Sequence, residues 1–292
     1  MGSFAGVINV NKEKGYTSFD VVAILRRLYS VKAGHTGTLD PNATGVLPIC
    51  LGKATKFSEY FMDGIKKYTA EVVLGVTTTT GDITGEVLTR HTKDASFPDK
   101  QEISAAVMTF LGKQEQVPPM YSAIKIGGQK LYDLARAGKT VHREARPIEI
   151  YAIDVFAFQE RSFWINVSCS KGTYIRSLCT DIGEKLGTGA TMGELVRTGS
   201  GPFFIETAYP IGEIKGTANI WSLVKPLEEL LPYPVAQIEP AYVKNARNGN
   251  ALKLSNLLSY DTQAKKHWLK NGDEVIGLFR KESGLLKCEV ML

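Results

Sequence analysis

The sequence predicts an α+β protein with a small β-rich domain at its carboxyl end, and three observations carry that reading. The chain's 292 residues, 43% hydrophobic and 22% charged, exceed one average domain and supply a sizeable core. Strand-like and helix-like runs mix without the strict βαβ rhythm of a parallel sheet. After Leu231 the composition shifts, with Pro232, Pro234 and Pro240 punctuating the chain, so a domain of residues 1–231 is followed by one of 232–292.

Gly6 to Val10 is a brief apolar strand, Asn11 to Gly15 a turn, and Ser18 an N-cap for a helix with Val21, Val22, Leu25 and Leu28 on one face. Residues 34–52 are rich in Gly, Thr and Pro at first and apolar afterwards, the pattern of a shaped loop feeding a buried strand. Lys66 to Val76 alternates as a strand. A helix over Asp99 to Leu111 turns Ile103, Val107, Phe110 and Leu111 inward and stops at Gly112. Between Pro118 and Gly138, Lys125, Lys130 and Arg136 are interleaved with Tyr121 and Tyr132. Pro147 to Phe158 and Phe163 to Ser170 read as strands, Thr173 to Leu186 as a helix stopped by Gly187, and Asn219 to Leu231 as a helix broken by Pro226. Short strand-like runs fill 272–292, with Gly277 and Gly284 at turns.

Several function classes are excluded. The longest stretch without Asp, Glu, Lys or Arg, Pro41 to Gly52, is twelve residues with two prolines, far short of the ~20 a spanning helix needs. The amino terminus has neither a basic n-region nor a long apolar h-region, which predicts a cytoplasmic protein. Cys50, Cys169, Cys179 and Cys288 form no C-x-x-C, and His35, His91, His142 and His267 are scattered, so neither a disulfide framework nor a metal site is expected. Gly45 to Lys53 mimics a phosphate loop but has the wrong spacing and Ala54 in place of the hydroxyl. A dinucleotide pattern begun by Gly187 and Gly189 fails at Met192. The formal charge of +5 permits an anionic partner without establishing one.

What remains is the loop around Asp40. Asp-Pro is a common turn initiator, but the residue before a proline is barred from the α region, and Leu39 predicts that the loop is partly buried. A pre-positioned, half-buried carboxylate suits nucleophilic or electrostatic catalysis at a sugar carbon. The run GHTGTLDPNATGVLPICLGKATK from Gly34 onward resembles the catalytic motif of the TruB-type tRNA pseudouridine-55 synthases. Lys66-Lys67-Tyr68, QVPPMYSAIKIGGQKLYDLARAG from Gln116 to Gly138, and SKGTYIRSL from Ser170 to Leu178 agree in order and spacing.

The resemblance implies a pseudouridine-synthase fold: a central mixed, largely antiparallel sheet flanked by helices and loops, an RNA-gripping insertion at about 116–146, and a PUA-like RNA-binding domain over 232–292. It implies that Asp40 is the catalytic aspartate, Tyr68 the tyrosine that stacks on the target base, and Arg176 the arginine that pairs with the aspartate. His35, Tyr174 and Leu195 would contact RNA, and Lys12 would support the site. By themselves the residues say less, since Tyr68 in an alternating run is ordinarily a core tyrosine, and Arg176 follows the inward face of its helix and would by periodicity meet solvent. Family members usually carry Lys-Pro-x-Gly where this chain has Lys12-Glu13-Lys14-Gly15, which predicts a less rigid loop.

The implied reaction turns a uridine in the T-arm of tRNA into pseudouridine with no cofactor, after the nucleotide is flipped out. The Gln116 to Gly138 segment resembles stand-alone bacterial enzymes and argues against a guide RNA of the dyskerin kind, and a monomer is expected. Two other readings compete. A non-catalytic RNA binder of the same fold would lack the Asp40, Tyr68 and Arg176 set, and a glycosidase would need a second carboxylate that cannot be placed beside Asp40 from sequence. Deleting 232–292 is expected to weaken tRNA binding more than chemistry.

Overall fold

The computed structural model describes residues 5–91 and 97–292, so the Met1 to Phe4 segment read for a leader lies outside the described residues. A large mixed sheet dominates. Its strands run in the order Tyr209–Pro210, Ala5–Lys12, Thr44–Gly52, Ala190–Ser200, Lys66–Leu74, Ser162–Cys169, Arg146–Phe156 and Gly112–Gln116. Five of the seven pairings along this path are antiparallel; Thr44–Gly52 with Ala190–Ser200 and Ala5–Lys12 with Tyr209–Pro210 are parallel. The central mixed, largely antiparallel sheet is therefore present.

The Thr44–Gly52 strand is apolar without alternation because both faces are covered. Leu47, Ile49 and Leu51 join a core with Val21, Val22 and Leu25 of the Ser18–Tyr29 helix and with Leu178, Cys179 and Ile182 of the Ile175–Lys185 helix. Val46 and Cys50 face the other way, toward Phe57, Phe61, Leu227 and Trp268.

Local differences from the sequence reading have physical causes. The cap of the first helix is Thr17, in a reciprocal capping box with Asp20, which frees Ser18 to turn inward. Leu28 is exposed on that helix. Leu111 is exposed too, because the Lys100–Met108 helix, capped by Asp99 and Glu102, ends before it. Asn219–Leu231 is not a helix: a 3-10 turn over Ile220–Leu223 gives way to an extended Lys225–Pro226 pair and a short Leu227–Leu230 helix, since Pro226 cannot supply a helix-interior donor. Gly277 sits within the Glu274–Glu282 strand rather than at a turn, where a Cβ would come 2.4 Å from the carbonyl oxygen of Val290.

The carboxyl-terminal six-stranded sheet runs from Val235–Ile238 to Leu285–Met291 and has its own core around Leu269, Ile276, Phe279 and Leu286. This small β-rich unit does not float. Trp268, fully buried, packs its ring 5.5 Å from that of Phe57 and donates its indole N–H to the carbonyl of Leu231 at 2.9 Å. Across the same seam the hydroxyl of Tyr60 donates to Glu289, which also accepts from Lys266 of its own unit.

Candidate active site

One row of the large sheet organises the site. Lys12 pairs with Gly45, Gly45 with Arg197, and Arg197 with Tyr68, so these four positions share a face across four strands. Gly45 has φ +100°, and a Cβ there would lie 2.3 Å from the carbonyl oxygen of Arg197, so only glycine lets the two strands approach this closely. The strand carrying Arg197 is bulged between Met192 and Leu195 and again between Arg197 and Gly199. Between the bulges Leu195 lies opposite Ala70, on the face that carries Tyr68.

The loop bearing Asp40 arches over this row and is held by backbone contacts on every side. Ser18 Oγ accepts from the N–H of Leu39 at 2.8 Å and donates to its carbonyl at 3.1 Å. Lys12, fully buried, donates from Nζ to the carbonyls of Tyr16 (2.7 Å), Glu13 (3.0 Å) and Pro41 (3.1 Å). The N–H of Gly15 also donates to Pro41. The lysine thus stitches the Glu13–Tyr16 turn to the Asp40 loop although the proline that the resemblance leads one to expect is replaced by Glu13, which is itself exposed. Arg197 donates to the carbonyls of Val46, Gly37 and Thr38.

Arg176 enters from the first turn of its helix, and Gln116 fixes that turn by accepting from the N–H of Tyr174 at 2.8 Å and donating to its carbonyl at 3.0 Å. The guanidinium is buried, against the solvent-facing position that periodicity assigns it. Its Nε lies 3.0 Å from Asp40 Oδ2, Nη1 donates to Thr80 (3.0 Å), and Nη2 donates to Tyr121 (2.7 Å) inside the 116–146 segment. That segment leaves and rejoins the sheet at one rung, where Arg146 pairs with Gln116. Within it, Lys130 and Arg136 lie over the Tyr132 ring.

Asp40 keeps 41% of its side chain open to solvent, while Arg176 keeps 6%. The carboxyl is nevertheless pushed above the ordinary carboxylate range: burial outweighs the attraction of Arg176, and the charge of Asp82 adds to the rise. Burial takes Lys12 down to about 8 against the pull of Asp40. It raises the phenols of Tyr68 and Tyr174, both of which feel the charge of Asp40. His35 is half-buried with an unpartnered Nδ1, and burial and the charge of Arg197 lower its pKa.

The structure therefore gathers Arg176, Tyr68, Tyr174 and Lys12 around Asp40, with Leu195 on the same sheet face as Tyr68 and His35 on the strand leading into the loop. Ser18, Gln116 and Arg197 were not legible as site residues; Arg197 had one signal, a charge at the parity of Leu195 in an otherwise largely buried strand. Asp82, the second carboxylate that the sequence did not reveal, spends Oδ1 on Thr80 Oγ1 and on the N–H and hydroxyl of Thr84. An oriented carboxylate with one guanidinium and a flanking phenol ring can act at an electrophilic carbon while a planar group is held against the ring.

A family model described as TruB family pseudouridylate synthase, N-terminal domain, matches residues 26–175, and another, tRNA pseudouridylate synthase B C-terminal domain, matches 176–232. A curated relative named tRNA pseudouridine synthase B from Alkaliphilus oremlandii is 47% identical over 255 residues, 87% of this chain and 84% of that protein. One of the same name from Clostridium perfringens is 44% identical over 294 residues, 98% of each. Among solved structures, a Cbf5-Nop10-Gar1 complex contains a chain 27% identical, with TM-score 0.71, covering 98% of this chain and 84% of that one. An H/ACA ribonucleoprotein bound to a substrate RNA contains another at 25% identity and TM-score 0.70, with the same coverage.

Proposed function

The chain belongs to the TruB family of pseudouridylate synthases, and from that premise we propose that it isomerises the uridine at position 55 in the T-arm of tRNA to pseudouridine. The reaction breaks the bond from uracil N1 to C1′ and joins C5 to C1′; C5 gives up a proton and N1 gains one, so nothing is added or removed overall. The observation that carries the reading is the half-open carboxylate of Asp40 held 3.0 Å from a buried guanidinium. Asp40 acts at C1′, Arg176 aims it, and Tyr68 stacks on the base and retains it while it turns. Flipping the nucleotide costs a few kcal/mol, offset by stacking and phosphate contacts. His35, Tyr174 and Leu195 contact the flipped nucleotide, and Lys12 keeps the loop in place. The protein works as a monomer without a guide RNA, gripping tRNA through the 116–146 insertion and the PUA-like domain.

Phosphate contacts should dominate affinity, because a net charge of +5 grips a polyanion only where it is concentrated. Each Lys or Arg contact to phosphate that is lost from the insertion is expected to reduce the log-log salt slope of binding by roughly 0.7 to 0.9, whereas Tyr68→Phe should barely change that slope. The test of the reading compares an isolated T-arm stem-loop with a linear oligonucleotide of the same sequence. The stem-loop should react and the linear strand react poorly; equal rates would remove T-arm recognition from the account.

Arg176→Lys keeps a charge but loses the planar fork that reaches Asp40, Thr80 and Tyr121 together. We expect the saturating rate to fall roughly 10- to 100-fold with little change in affinity; a rate within twofold of the parent would separate Arg176 from the chemistry. Because Asp40 titrates above the usual carboxylate range, activity should be lost as pH falls through a value higher than ~4. An acid limb at or below that value in a pH–rate profile would contradict the burial argument.

A further inference from the structure

We propose that Arg197 is a positioning residue that fixes the Asp40 loop in its working geometry, an inference that rests on the role given to Asp40 above. The residue is 2% exposed; its guanidinium donates to three backbone carbonyls and also acts on the hydroxyl of Tyr68. Nη2 reaches Gly37 at 3.0 Å and Nη1 reaches Thr38 at 3.4 Å, on the stem entering the loop; Nε reaches Val46 at 2.7 Å, on the stem leaving it. One planar fork therefore bridges both ends of the segment that carries Asp40.

The rest of the residue is placed to transmit that hold. Its backbone pairs with Gly45 on one side and Tyr68 on the other, so the spacing between the carboxylate loop and the aromatic strand is set through a single position. Taking a guanidinium out of water is costly, and among the described residues no ion pair with a carboxylate repays it. An apolar side chain could fill the same space on the sheet, but it could not tie two loop stems together. A lysine could reach one stem, since its ammonium has no fork.

The test uses the full chain with Arg197→Lys, and Arg197→Gln as a second variant that leaves no buried charge should the lysine protein fail to fold. Three readouts are compared per folded molecule: single-turnover rate at saturating T-arm stem-loop, stem-loop affinity, and hydrogen exchange of residues 36–46. We expect a 10- to 100-fold loss of rate, affinity within threefold of the parent, and at least tenfold faster exchange at 36–46 with the carboxyl-terminal sheet unchanged. In an Arg176→Lys background the Arg197→Lys loss should shrink, because both residues act by aiming the same carboxylate. A rate within twofold of the parent, unchanged exchange at 36–46, or full additivity with Arg176→Lys would overturn the assignment. Exchange needs no substrate, so a parent chain inactive on RNA whose variants nonetheless loosen 36–46 would sink the functional reading and leave the anchoring in place.

Discussion

Asp40→Asn is expected to slow uridine conversion at saturating RNA by roughly 10³-fold or more, while the protein binds RNA within a few-fold of the parent and melts no lower. The substitution keeps the size of the side chain and deletes only the ionisable oxygen. The melting expectation follows from the direction of the shift. Asp40 titrates higher in the fold than in the unfolded chain, so between the ordinary carboxylate value and the raised one the folded state binds more protons, and stability falls as pH rises through that window. At neutral pH burial of the ionised group offsets what it gains from Arg176, and asparagine removes both, so the melting temperature should stay close to the parent's. Single-turnover rates and thermal melting at pH 7 check both halves; turnover near the parent's in a contamination-free preparation would end the assignment.

Trp268→Ala carries the largest expected stability effect. A fully buried tryptophan exchanged for alanine costs about 3–5 kcal/mol, and here it also removes the indole donor from the carbonyl of Leu231, which keeps only the N–H of Tyr233. The sequence treats 232–292 as a removable RNA-binding unit, and the packing revises that. Trp268 and Leu278 share a core with Val7, Val46, Cys50, Phe57 and Phe61, so deletion would strip one face of the strand that leaves the Asp40 loop. We expect the truncated chain to aggregate or melt well below the full protein. In urea, Trp268→Ala should lower the midpoint of the transition; an unchanged midpoint, or a truncated chain with the parent's melting temperature, would contradict the shared core.

What sequence reading could reach was set by how local the determinants are. The loop-then-strand pattern of 34–52 and the inward faces of the helices are periodic and short-range, and they appear in the structure close to where expected. The half-burial of Asp40 was inferable from Leu39 and Pro41. Arg176 was misplaced by periodicity because its burial depends on carbonyls from Thr80 and Tyr121, far along the chain. Ser18 looked like a helix cap because serine before an apolar run usually is one; Thr17 took the cap and Ser18 took the backbone of Leu39. Arg197 was hidden for a similar reason, since its partners lie some 150 positions away. Pairing of Asp40 with Arg176 was anticipated only through the family resemblance.

The most direct measurement is to incubate the purified chain with an unmodified tRNA transcript, without guide RNA or added cofactor, and map pseudouridine along the whole molecule. The account predicts a single new pseudouridine at position 55 of the T-arm, formed by the parent chain and absent with Asp40→Asn. A transcript returned unmodified, modified elsewhere but not at 55, or modified equally by Asp40→Asn would contradict it.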